Sequence, residues 1–323
     1  MKLLKLIPDN TNIKFLRWRV PFYAVSILLM VASVTLAVTK GLELGVDFVG
    51  GQSIRVTFAE GSTAPLAQVR EEIDGLGYGD PIIQQLGEPN QIAVRMKLPD
   101  EENPALTEQM NRDIRGTLEQ NHSDAVIGQA ESVSGKVSQE LFRDGMIALL
   151  LAMVGISIYI WIRFEWQFGV GALFALAHDV TLTVGLFALT GMEFDLNIVA
   201  ALLTLIGYSL NDNIVVYDRV RENMKKYRKM PVPELLDLSV NETLSRTVVT
   251  STSLLITLVA LLILGPDVIF GFTAAITFGI FVGTYSSIYM STPILVWLGV
   301  EQDSFVPTET VADRQERKAR GEV

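Results

Sequence analysis

Six apolar runs constrain this chain more than any other feature. They occupy residues 20–38, 145–161, 168–189, 196–217, 247–264 and 270–298. Crossing about 30 Å of hydrocarbon takes roughly 20 helical residues, so each run has the reach of a transmembrane helix, the second being short and the sixth long. Such runs also occur as buried helices of soluble proteins. Six of them with so few interrupting charges favour the membrane, and 49% hydrophobic residues over 323 positions agree.

Orientation follows from the short loops, because Lys and Arg accumulate on the cytoplasmic side. Residues 1–19 hold Lys2, Lys5, Lys14, Arg17 and Arg19. Seven more basic residues lie between 219 and 246, four in the tail (Arg314, Arg317, Lys318, Arg320) and one in the turn 163–167, whereas 190–195 and 265–269 hold none. The expected organisation is a cytoplasmic segment 1–19, a first span 20–38, an extracytoplasmic domain 39–144, five further spans within 145–298 and a cytoplasmic tail 299–323. The first run is too long for a signal-peptide core and lacks a convincing small-residue cleavage site, so it reads as a retained anchor.

The segment 39–144 alternates first and then turns helical. Ile54, Val56 and Phe58 suit a strand with one buried face. Leu66, Val69, Ile73 and Leu76 follow at helical spacing and Gly77 stops the run. Residues 82–86 and 92–96 flank Gly87-Glu88-Pro89-Asn90 as a hairpin. Pro104 opens a second helix through Leu106, Met110, Ile114 and Leu118, and 125–130 forms the last strand. The order β-α-β-β-α-β predicts an α+β ferredoxin-like domain outside an all-α six-helix bundle. His122 reads as a solvated helix end.

Several chemistries are excluded at once. Cysteine is absent, which removes disulfides, thiolate catalysis and Cys-ligated metals. Of the net charge of -10, -9 falls on residues 39–144, where 18 acidic residues face 9 basic ones, so nucleic acid is an unsuitable partner. Gly45-Val46-Asp47-Phe48-Val49-Gly50 begins like a phosphate-binding loop, but Gly51-Gln52 follows where Lys and Ser or Thr are required. Neither histidine has a nucleophile elbow. The expectation is a chain that is no enzyme, carries no cofactor or metal, and draws energy from an ion gradient or a partner.

Ionisable side chains at bilayer depth cost about 2.5–3.5 kcal/mol each on insertion scales, which makes them functional candidates. Asp212, between Asn211 and Asn213, lies about 22 Å along its helix from Leu196 at 1.5 Å per residue; the plain alternative is a hydrogen-bonded structural Asp. Arg246 opens a stripe with Thr250, Ser253 and Thr257 on one helical face, and its plain alternative is snorkelling to the interface. Asp212 and Arg246 lie toward the cytoplasmic ends of consecutive antiparallel helices, which allows them to meet. His178 and Asp179 are adjacent in the third span and point about 100° apart, so they are not expected to share a partner; a proton relay and a structural polar contact are both open. Gly279, Gly283, Ser287 and Ser291 recur at every fourth position as a small-residue packing or sliding face.

Gly45 through Gly51, with Gly50-Gly51 at its end, resembles the glycine-rich motif of the SecD and SecF families. Phe194-Asp195-Leu196-Asn197, Ser209-Leu210-Asn211-Asp212-Asn213 and Asp218-Arg219-Val220-Arg221-Glu222-Asn223 are similar to the SecF fourth span and its exit. Ala177-His178-Asp179 and the stretch from Asn241 to Thr247 resemble further SecF segments. SecD is the close competitor, but it has a larger external domain and a different setting for its acidic residue. The resemblance covers most of the chain from Gly41 to Leu298. It implies a half-transporter of the RND superfamily in the bacterial plasma membrane that pairs with SecD, associates with the SecYEG channel and with YidC and YajC, and acts on translocating polypeptides among membrane lipids. It further implies use of the proton-motive force, with sodium as the alternative ion, and proton movement through Asp212 and Arg246. A small-molecule exporter and a scaffold without transport are the competing functions.

Overall fold

The computed structural model describes residue 8 and residues 11–86, 88–98 and 104–300. Lys2, Lys5, Gly87 and the tail residues Arg314, Arg317, Lys318 and Arg320 lie outside the described residues. In chain order the elements are α1 (Arg19–Thr39), β1 (Glu43–Leu44), α2 (Val46–Val49), β2 (Gly51–Thr57), α3 (Leu66–Asp74), β3 (Ile82–Gln85), β4 (Gln91–Met96), α4 (Pro104–Asn121), β5 (Val126–Val133) and α5 (Gly135–Arg163). There follow α6 (Trp166–Thr190), β6 (Glu193–Phe194), α7 (Leu196–Lys226), α8 (Val232–Leu264), α9 (Phe270–Ser286) and α10 (Thr292–Trp297).

Strands β3-β4-β2-β5 form one antiparallel sheet in that order. With α3 after β2 and α4 after β4, this is the ferredoxin-like arrangement. Ile54 and Val56 turn to one face, where Val69 and Ile73 of α3 and Met110, Ile114 and Leu118 of α4 close an apolar core. The opposite face carries Arg55 and Arg95, which engage Glu193 in the turn between α6 and α7. His122 is not solvated: it is buried, bonded to Glu72 at 2.9 Å and set edge-on to Phe58. Its place at the end of α4 puts it beneath α3, where a carboxylate and a ring were available.

Among the described residues, six helices are long and apolar enough to span a membrane. Over half of the most apolar stretch is buried within the chain in α6, α7 and the α9–α10 span (56% each), against 17%, 11% and 17% in α1, α5 and α8. The first three therefore form an inner layer and the others present apolar side chains outward, as lipid-facing helices do. Three helices run beyond the apolar runs: α5 begins at Gly135, α7 continues to Lys226 and α8 begins at Val232. Helical hydrogen bonding is indifferent to the lipid boundary, so charged ends extend a span without ending it.

The last span is interrupted by a π turn, Ser287–Ser291, just before Pro293. Proline has no N–H and its ring clashes with the carbonyl four residues back, and a wide turn accommodates that defect. The released carbonyls find partners. Ser291 Oγ and Thr292 Oγ1 donate to the Ser287 carbonyl, and Tyr23 and Tyr217 donate to the carbonyls of Met290 and Ser291.

Candidate functional site

The inner layer contains two buried carboxylates in different surroundings. Asp179 is fully enclosed. Ser209 Oγ of α7 donates to its Oδ2 at 2.6 Å, Ser286 Oγ of α9 donates to the same oxygen at 2.9 Å, and His178 Nδ1 meets Oδ1 at 3.0 Å. One carboxylate thus ties α6, α7 and α9 together. Among the described residues His178 and Asp179 share no third hydrogen-bonding group, as their adjacency implied; they bond to each other instead. His178 Nε2 is buried without a hydrogen-bond partner among the described residues, and its ring lies 6.0 Å from that of Tyr285.

Asp212 is also buried, yet its Oδ2 has no hydrogen-bond partner among the described residues. Arg246 on α8 lies near enough for its charge to act on this carboxylate. It makes no direct ion pair with Asp212 within 4.0 Å among the described residues. Asn213 is buried beside Asp212 and donates back to the Ser209 carbonyl at 3.1 Å, whereas Asn211 faces outward.

Arg246, Thr250, Ser253 and Thr257 lie on the outer face of α8, not in the bundle. The three hydroxyls return to carbonyls of their own helix, a local satisfaction that needs no partner. The inner face of α8 carries a second series, Thr243, Thr247 and Ser251, of which Ser251 bonds to Tyr208 of α7 and Thr284 of α9. Sequence reading missed this series although it repeats at four-residue spacing; apolarity on both sides hid which face was inside. Ser209 and Ser286 were missed too, since nothing local marks a serine as the donor to a distant aspartate.

Gly279, Gly283, Ser287 and Ser291 pack within the chain. A Cβ on Gly279 would meet Leu205 Cδ1 at 2.6 Å, and one on Gly283 would meet Ser209 and Asp179 at 3.4 and 3.5 Å. Comparably tight helix contacts lie elsewhere: Gly171 faces the Tyr217 hydroxyl and the Ser291 carbonyl, and Gly185 lies against Ser33 of α1, the tightest of these. The family-motif residues Gly45, Asp47, Gly50 and Gly51 stand where the external domain meets the membrane helices, with Asp47 Oδ2 accepting from Leu196 N at 3.0 Å.

Comparison with known proteins adds three findings. Residues 113–301 match the family "Protein export membrane protein SecD/SecF, C-terminal", and residues 35–61 match the "SecD/SecF GG Motif". The chain is 44% identical over 306 residues to the protein translocase subunit SecF of Cereibacter sphaeroides, covering 93% of each chain, and 38% identical over 308 residues to that of Pseudomonas aeruginosa, covering 94% of this chain and 98% of the other. A crystal structure of SecDF from Thermus thermophilus, titled as a translocon-associated membrane protein, is similar at a TM-score of 0.79 and 34% identity. That match covers 91% of this chain but only 39% of the longer SecDF chain.

Proposed function

The chain belongs to the SecF family of protein-export membrane proteins, and from that premise we propose that it is the smaller half of a two-part export machine in the bacterial plasma membrane. In this reading it pairs with SecD, works beside the SecYEG channel with YidC and YajC, and uses the proton-motive force to assist polypeptide translocation. Both termini are cytoplasmic and the ferredoxin-like domain stands on the exit side, toward emerging polypeptides.

The observation that carries this reading is the Asp212 carboxylate, buried with an unpartnered oxygen while a cation acts on it from the next helix. A carboxyl whose charge is supported by distance to one arginine changes its proton affinity when the helices shift. Moving one charge through 100 mV is worth about 2.3 kcal/mol, enough to bias such a shift. Pairing has its own support: α7 and α8 pack side by side, and the outward faces of both carry polar or small residues, Thr204, Gly207 and Asn211 on one and Arg246, Thr250 and Ser253 on the other. A second six-helix half suits that surface better than lipid does.

Reconstituted export tests the proposal. Vesicles holding the translocation channel, SecD and this chain should export faster with a proton gradient than after its collapse, and omission of this chain should remove the difference. Gradient-independent export that still requires the chain would reduce it to a scaffold. Substituting a sodium for a proton gradient identifies the ion.

A further inference from the structure

The external domain is tied covalently to the outer helices α1 and α5, through β1–α2–β2 on one side and β5 on the other. Neither Asp179 nor Asp212 lies on those helices. Both lie on the hairpin formed by α6 and α7, whose turn at residues 191–195 reaches the external domain by a separate set of contacts.

That turn is gripped at several points. β6 pairs in parallel with β1, Glu43 opposite Glu193 and Leu44 opposite Phe194, and Gly45 N donates to the Phe194 carbonyl at 2.9 Å. Arg95 of β4 spans the joint: Nη1 donates to the Leu44 carbonyl at 2.6 Å and Nη2 to Glu193 Oε1 at 2.7 Å. Arg55 of β2 approaches the other Glu193 oxygen at 3.4 Å, and Gln84 of β3 bonds to Glu43. Asp47 Oδ2 accepts from Leu196 N, so the first turn of α7 is capped by a residue from α2 as well as by its own Asp195, which accepts from Ile198 N at 3.1 Å.

The glycines explain why this packing needs its motif. A Cβ on Gly45 would sit 3.0 Å from Asp195 Cβ. Gly50 (φ 77°) lies against Gly135 Cα at the start of α5, and Gly51 (φ 111°) would place a Cβ 2.6 Å from the Met96 carbonyl oxygen. Side chains are therefore excluded from three consecutive joints: to the α6–α7 turn, to α5 and to β4. Phe48 fills the space between Phe142 and Phe194.

We propose that the glycine-rich segment, Asp47, Arg95 and Glu193 form a clasp that transmits displacement of the α6–α7 hairpin to the external domain, with Glu193 as its principal positioning residue. An axial movement of α7 pulls Asp47 and β6, hence α2 and β1, and through Arg95 and Arg55 the sheet itself. Without the clasp the domain follows only α1 and α5. The proposal rests on the export reading for its purpose, and on Asp212 as the origin of the displacement.

The cysteine-free sequence allows a direct test. Spin labels at Glu108→Cys and Val268→Cys, both exposed positions, report the distance between the external domain and the outer end of the bundle in the full chain, assembled in vesicles with SecD and the channel. An imposed proton gradient should change that distance in the otherwise unaltered chain, and Glu193→Ala should abolish the change while leaving protease resistance intact. Arg95→Met should do the same, and the double variant should be no worse than either single one, because both remove one link. Glu193→Gln, which keeps an acceptor for Arg95, should restore part of the response. An undiminished response in folded Glu193→Ala and Arg95→Met, or no response in the parent, overturns the clasp. Loss of the response in Glu193→Ala together with its persistence in Asp212→Asn upholds the clasp and sinks the coupling role of Asp212 instead.

Discussion

Asp179 and Asp212 sit on neighbouring inner helices, both enclosed by protein at bilayer depth. Asp179 is held by two serines and a histidine from three directions at 2.6 to 3.0 Å, whereas Asp212 has an oxygen with no donor among the described residues and a cation beyond ion-pair distance. A buried charge surrounded by fixed donors is costly to disturb, because each donor loses its partner when the carboxylate changes. One without donors is easily altered by small movements of its neighbours. Under the proposed function, the contrast makes Asp179 the group expected to hold the inner helices together and Asp212 the one expected to respond.

The largest effect is expected from Asp212→Asn. It removes the titrating proton with little change of shape, so insertion and thermal unfolding in detergent should match the parent. Export under a gradient should fall toward the rate seen without one. The ceiling is set by the energy of one proton, about 2.3 kcal/mol per 100 mV, which corresponds to about fortyfold at 1.4 kcal/mol per tenfold. Export assays with and without an ionophore measure it, and full gradient-sensitive export by this variant would move the coupling elsewhere.

Asp179→Leu should reverse the pattern. It strands the Ser209 hydroxyl, removes the partner of His178 Nδ1 and leaves the Ser286 hydroxyl only the Gly283 carbonyl, each lost partner costing about 1–3 kcal/mol. A lowered unfolding midpoint and reduced membrane abundance should follow, with the molecules that still fold keeping their gradient dependence. Asp179→Asn retains an acceptor and should be milder. Normal stability with a lost gradient response in Asp179→Asn would erase the distinction between the two carboxylates and revive the relay reading of His178 and Asp179.

The glycines of α9 supply a smaller, steric version of the same comparison. Gly279→Ala drives a methyl into Leu205 and should cost about 1–3 kcal/mol as overpacking unless Leu205 swings aside. Gly283→Ala, at 3.4 Å from Ser209 beside the Asp179 hub, should be close to neutral in the same unfolding assay. Equal losses from both would mean that α9 cannot adjust anywhere along this face.

Much of this architecture was legible because hydrophobic periodicity reports burial directly. The six spans and the β-α-β-β-α-β order needed only local patterns, and Val69, Ile73, Met110, Ile114 and Leu118 fall in the core that their spacing implied. Asp212 stood out because a charge in an apolar run is conspicuous. What stayed hidden depended on contacts between distant residues. Nothing near Ser209 or Ser286 announces Asp179, and the two-residue strands β1 and β6 are too short to carry a period. The stripe from Arg246 to Thr257 had the correct spacing for one helical face, but spacing does not say which way a face points, and this one points outward.

The smallest expected effect concerns Arg246, and it separates two ways in which this cation serves Asp212. Arginine is not replaceable by lysine where its planar fork grips a carboxylate with two parallel bonds. The sequence allows Asp212 and Arg246 to meet, and a grip of that kind would make Arg246→Lys a partial defect. In the structure the guanidinium is exposed and forms no ion pair with Asp212 within 4.0 Å among the described residues, so it acts through charge alone. Lysine supplies the same charge on a flexible stem. Arg246→Lys should therefore stay within about 1 kcal/mol of the parent, the usual scale of an exposed charge interaction, while Arg246→Ala should lose more of its gradient-driven export. The pair of variants, compared in the export assay at matched protein levels, decides the point. If lysine is as damaging as alanine, the fork must close on Asp212 at some stage of the cycle, which requires α7 and α8 to approach each other more closely than they do here. That approach would itself be the movement that alters the proton affinity of Asp212.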